Sequence, residues 1–129
     1  MKLELLGGIS PKKFLREWWQ KKPLLIRQAI PGFTGFLNRE QLIELACQDD
    51  AHSRVITQAK GKWKVKNGPF RPRAFSRLPE TQWTLLVQDV NHFIRPARDL
   101  LLRFDFIPYS RLDDLMVSYA PEGGGVGPH

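Results

Sequence analysis

The run Gly123-Gly124-Gly125-Val126-Gly127-Pro128-His129 constrains this chain more than any other segment. So many glycines oppose a helix or strand interior, because each adds backbone freedom that ordering must remove. Residues 121–127 therefore read as a loop, while residues 112–120 before them read as a strand. A strand thus runs into a flexible loop, and the loop delivers a histidine behind a Gly-Pro turn. A rigid turn of that kind can aim an imidazole at a fixed point. Pro128 with His129 then reads as the start of a further strand.

Composition alone favours an ordinary Gly-rich turn with a surface histidine, but two chemistries could use such a loop. A phosphate cradle needs a lysine and a Ser or Thr after its last glycine, and Pro128 and His129 stand there instead. A dinucleotide loop would have to open a helix, which Pro128 does not suggest. A non-haem iron centre of the two-histidine, one-carboxylate type needs an aimed imidazole, with coordination positions left open for oxygen and a co-substrate. His129 would be one ligand of such a set, and the sequence reads as interrupted within its chemistry.

A length of 129 residues suits one domain with a modest core, and 42% hydrophobic residues argue against disorder. No apolar run reaches the roughly 18 residues of a membrane span, and the first ten residues carry too short an apolar stretch for a signal peptide. Cys47 is the single cysteine, which fits a reducing compartment and gives a cytoplasmic expectation. It lies on an apolar helical face, as a small core residue would. The net charge of +7 is concentrated. Residues 51–79 hold eight basic side chains (Arg54, Lys60, Lys62, Lys64, Lys66, Arg71, Arg73, Arg77) and no acid, whereas the rest of the chain is nearly neutral. Such localisation points to a docking surface for a polyanion.

Ser10 before Pro11 predicts a helix start, with Phe14, Leu15, Trp18 and Trp19 as its stripe and Pro23 as its end. Leu24, Leu25 and Ile26 predict a short strand, and residues 31–35 a turn. Asn38 with Gln41 predicts a capping box opening a helix through Cys47. Two strands, Arg54 to Thr57 and Lys62 to Lys66, predict a hairpin turning at Lys60 and Gly61. Alternation puts Trp63 and Val65 on one face of it and the three lysines on the other. Residues 70–79 read as a basic loop. Trp83, Leu86, Val87 and Val90 recur at helical spacing and predict a helix, with a break near Pro96 and a second helix through Phe104. The last strand has no partner after it.

Other candidates are weaker. His92 has no ligand-type residue at metal spacing and reads as packed or capping, and His52 reads as exposed. Trp63 among lysines could stack on a base, but it reads better as the hairpin's anchor to the core.

The pattern from Leu115 through Met116, Ser118, Pro121 and the glycines to His129 resembles the first core strands of the JmjC-type cupin oxygenases. It is closer still to the bacterial ribosomal oxygenases. Trp18-Trp19-Gln20-Lys21-Lys22-Pro23, Gly61-Lys62-Trp63, Asn67-Gly68-Pro69-Phe70, Trp83-Thr84-Leu85-Leu86-Val87-Gln88 and Arg111-Leu112-Asp113-Asp114-Leu115-Met116 support this, over nearly the whole chain. The resemblance implies an α+β fold, with N-terminal helices and a β-hairpin leading into the first strands of a truncated double-stranded β-helix. Residues 1–111 would be the helical and hairpin part, and residues 112–129 the first barrel strands. It implies Fe(II) and 2-oxoglutarate, with His129 as metal ligand beside an Asp two residues on and a later His. Ser118 would contact the co-substrate. Alternation along the expected strand puts Asp114 and Met116 on the same face as Ser118. Asp114 could then receive a substrate guanidinium, with a surface Asp at a loop-to-strand transition as the plainer reading. The activity implied is hydroxylation of an arginine in a large-subunit ribosomal protein, by an intact protein acting as a homodimer. This chain alone would be inactive. RNA could be met through Lys62, Lys64 and Lys66. The alternative is a non-enzymatic RNA-binding or ribosome-associated module built on the basic hairpin.

Overall fold

The computed structural model describes residues 4–129, which form two compact units joined at Gly35. In the first unit, Ser10 caps α1 (Pro11–Glu17) by accepting from the Lys13 amide at 3.2 Å. The helix ends at Glu17, well before Pro23. Trp18 and Trp19 fall in the turn that follows, with Phe14 packed against the Trp19 ring and Lys22 above Trp18. The strand expected at Leu24, Leu25 and Ile26 does not form. Ile26 instead lays its side chain over Gly7, where a Cβ would sit 3.2 Å from it.

The second unit is one antiparallel sheet with helices on one face. Its strands are β1 (Ser53–Ala59), β2 (Lys62–Asn67), β3 (Trp83–Val87) and β4 (Val117–Tyr119), in the order β2-β1-β3-β4. The capping box is present in full: Asn38 accepts from the Gln41 amide and Gln41 from the Asn38 amide, opening α2 (Arg39–Ala46). Leu42, Leu45 and Ala46 from α2 meet Val55, Leu85 and Val87 from the sheet, and Phe70 and Phe75 complete the cluster. The hairpin turns where expected, with Lys60 and Gly61 both at positive φ, the geometry that matches the twist of paired strands.

Other expectations need correction. Trp83, Leu86 and Val87 belong to a strand. It lies between β1 and β4 with all five of its residues buried, and a strand covered on both faces shows no alternation to tell it from a helix. The break expected near Ile94 and Arg95 is present: Ile94 is extended, and Pro96 sits in the first turn of α4 (Arg95–Leu101), the expected second helix, which runs on as a 3-10 turn through Phe104. The basic loop contains a short helix, α3 (Pro72–Ser76), again begun by proline. The last strand is also shorter than read. Before it, residues 114–115 are taken up by a turn: the Asp89 amide donates to Asp114, the Leu115 amide to Asn91, and the Val90 amide to the Leu115 carbonyl. β4 does have a ladder partner, with Leu85, Leu86 and Val87 facing Tyr119, Ser118 and Val117. Residues 128–129 form no strand. Among the described residues, no helix is long and apolar enough to cross a membrane.

Candidate functional site

Strand register sorts the side chains into two sets, because directly paired residues share a sheet face. Val55 pairs with Leu85 and with Lys66, and Thr57 with Trp83 and with Lys64. These residues, with Lys62, lie on the helix side. Arg54, Ile56, Thr84, Leu86, Val65, Trp63 and Ser118 lie on the opposite face. The three lysines and Trp63 are therefore on opposite sides, as alternation predicted. Trp63 does not anchor the hairpin to the core: it remains 42% exposed, on the face away from the helices.

The glycine loop crosses that second face. Its turn is tied down where the Gln82 amide donates to the Glu122 carbonyl at 2.8 Å and the Gly124 amide to the Pro121 carbonyl at 3.0 Å. Thr84, buried in the central strand, donates its hydroxyl to the Gly125 carbonyl at 3.1 Å. Gly124 lies so close to β3 that a Cβ there would collide with the Trp83 carbonyl. The Trp63 ring closes the other side, 3.5 Å from where a Gly127 Cβ would be. Gly124 is needed because the loop is pressed onto the strand backbone there, with the indole on its other side.

His129 is exposed at the end of this loop. Its Nδ1 is 3.1 Å from the Gly127 carbonyl. A carbonyl oxygen only accepts, so the contact is a hydrogen bond when Nδ1 carries the proton. In that tautomer Nε2 is the nitrogen with a lone pair to offer a metal, an arrangement common among metal-binding histidines. The residues present thus fit one ligand. Among the described residues, no three His, Cys, Asp or Glu side chains gather around a metal-sized site.

Ser118 is exposed on the loop-covered face, in one row with Leu86 and Arg54. Met116, 47% exposed, lies two residues before it. Asp114 is partly buried, and its Oδ2 accepts from the Asp89 amide at 2.8 Å, which holds the turn leading into β4. Sequence reading missed Arg54 and Thr84. Arg54 was counted with the basic window, but its parity turns it to the Ser118 face, where its Nε is buried with no hydrogen-bond partner. The signal was available in the alternation that sorted the hairpin. Thr84 could not be found, because a helical reading of its segment hides its face. His52 is exposed, with Nδ1 3.7 Å from an Asp89 oxygen. His92 is exposed too and so is not packed; of the two roles expected, its place in the last turn of a 3-10 helix leaves the capping one.

No family model matches the chain. Individual proteins do. It is 40% identical over 116 residues to the ribosomal protein uL16 3-hydroxylase of Escherichia coli, covering 90% of this chain and 31% of that protein. It is 43% identical over 122 residues to a probable ribosomal oxygenase of Haemophilus influenzae, covering 94% of this chain and 30% of that one. The structure superposes on the Escherichia coli ribosomal oxygenase YcfD with a TM-score of 0.86 at 39% identity, covering 94% of this chain and 33% of YcfD. YcfD has been solved with cobalt and 2-oxoglutarate, and with cobalt and succinic acid. The chain is homologous to the ribosomal oxygenases and shares their fold, and it spans about a third of the length of the relatives it matches.

Proposed function

We propose that this chain is the N-terminal third of an Fe(II)- and 2-oxoglutarate-dependent hydroxylase that acts on an arginine of a large-subunit ribosomal protein. The observation that carries the reading is the clamped glycine loop, which ends on His129 with its Nδ1 3.1 Å from the Gly127 carbonyl. The names of its relatives supply the substrate class, and the ligands of YcfD supply the cofactor class. His129 would hold the metal, and Ser118, on the loop-covered face, would hydrogen-bond the co-substrate. Asp114 and Met116 lead into that face and would meet the substrate arginine, with Asp114 offering a carboxylate to the guanidinium. When bound, the iron and 2-oxoglutarate supply oxygen activation and the electrons for C–H hydroxylation. This chain contributes orientation, and Thr84 and Trp63 keep the loop from carrying the imidazole away.

In this reading residues 112–129 begin the barrel and residues 1–111 support it. The intact protein would work as a cytoplasmic homodimer, as the resemblance implies. Lys62, Lys64 and Lys66 would meet ribosomal RNA near the protein substrate.

His129→Ala in the full-length protein tests the reading. Isothermal titration with Co(II) should show loss of stoichiometric binding, and hydroxylation of a ribosomal-protein peptide should vanish with it. Circular dichroism should be unchanged, because the side chain is exposed and buries no core. A variant that still binds one metal ion and turns over normally would reduce the glycine loop to scaffolding.

A further inference from the structure

We propose that the cleft between β2 and α3 is a phosphate-backbone site for RNA. It rests on the ribosome-directed reading above only for the choice of RNA as the polyanion. The cleft has a volume of about 540 Å³, with Lys66, Arg71, Arg73 and Arg77 among its lining residues and Phe70 and Phe75 buried at its floor. Its four cationic residues are all exposed. Lys64 and Lys62 extend the row from Lys66 along the same face of the edge strand, at the two-residue repeat of about 6.7 Å. That row and the cleft form one continuous cationic track.

The contrast with the other helices is informative. In α1 Arg16 pairs with Glu17, in α2 Arg39 approaches Glu40, and in α4 Arg95 approaches Asp99. Among the described residues, none of the cleft's cations is in an ion pair, and residues 51–79 contain no acid that could form one locally. Like charges held together without counter-charges repel, a cost that an external polyanion removes. A protein partner would need apolar or aromatic anchors at the rim. Here the aromatic rings are packed against each other at 5.5 Å between centroids, and Trp63 is on the opposite face. With no exposed ring for a base to stack on, contact is to phosphates. Binding is therefore indifferent to sequence and strongly dependent on salt.

Fluorescence anisotropy of labelled oligouridine, titrated with this chain between about 50 and about 200 mM salt, tests the site. The variant Arg71→Gln/Arg73→Gln/Arg77→Gln should lose at least tenfold in affinity at low salt. It should also flatten the plot of log affinity against log salt by about 2, at roughly 0.7 per phosphate contact. Lys64→Gln/Lys66→Gln, on an exposed strand edge, should weaken binding without touching the core, and it carries the test if the triple variant fails to fold. Lys12→Gln/Lys13→Gln on α1 should bind as the parent does. Unchanged affinity in the cleft variants would overturn the proposal, as would an equal loss in the α1 variant, which would mean net charge alone. Tighter binding of poly-glutamate than of oligouridine would overturn it too, in favour of an acidic protein partner.

Discussion

On its helix side the sheet buries Val55, Leu85 and Val87 beneath α2, while on its other side Thr84 and Leu86 lie buried where a glycine loop crosses beside Trp63. The first face is packed by side chains meeting side chains. At the second, a hydroxyl, a strand carbonyl and an indole fix a backbone that has almost no side chains of its own. Stability belongs mainly to the first face and aim to the second. The two kinds of damage should therefore be separable.

The largest expected effect comes from breaking the packed face. Leu85 is 0% exposed in the central strand, and Leu85→Ala should cost about 2–5 kcal/mol, from lost transfer energy and the cavity left behind. Ser118→Ala, on the adjoining strand but exposed on the other face, should stay within about 0.5 kcal/mol. Urea unfolding of both variants makes the comparison, and similar losses would erase the distinction between the faces.

The same division explains what could be read in advance. Short-range chemistry was legible: Asn38 with Gln41 gave the capping box, Ser10 with Pro11 the start of α1, and Lys60 with Gly61 the hairpin turn. Each is fixed by neighbours within a few residues. Trp83, Leu86 and Val87 were misread because a strand buried on both faces has no alternation, and only the distant β1 and β4 make it one. Residues 112–116 were misread as strand because the turn at Asp89, Val90 and Asn91 competes for their backbone groups from far along the chain. In the proposed site, His129 was singled out by the glycines around it. Thr84 and Trp63, which hold that loop, became visible only once strand pairing was known.

A smaller effect tests how tightly the second face is built. At Gly124 a Cβ would meet the Trp83 carbonyl and stand 2.9 Å from the Ala120 Cβ, whereas at Gly125 the nearest atom is a Trp63 carbon at 3.9 Å. Gly124→Ala should therefore cost about 1–3 kcal/mol as the loop is pushed off β3. Gly125→Ala should be nearly neutral, within about 0.5 kcal/mol. The full-length protein should show the same order in Co(II) affinity, with Gly124→Ala the weaker binder. Equal behaviour of the two variants would mean that the loop's glycines are interchangeable and that its contact with the strand does not set the position of His129.

The smallest effect concerns the one thiol, which belongs to the helix side as His129 belongs to the loop. Cys47 caps α2 and packs against the core cluster, and burial raises its pKa above the ordinary thiol value of 9.0. Burial there disfavours the thiolate, so Cys47 should react slowly with iodoacetamide at neutral pH, unlike a nucleophile activated by a neighbouring cation. The sign for stability follows from the same shift. Below the ordinary thiol pKa both folded and unfolded chains hold the proton, and the group leaves stability unchanged. Above it the unfolded chain loses the proton first, so stability declines as pH rises from that value toward the raised folded one. Comparing the parent with Cys47→Ala in urea at pH 7 and again above pH 9 isolates the contribution. The parent should lose a little more stability than the variant over that interval. A fast, low-pH alkylation of Cys47 would instead give the helix side a reactive group of its own, and the division of labour between the faces would fail at that point.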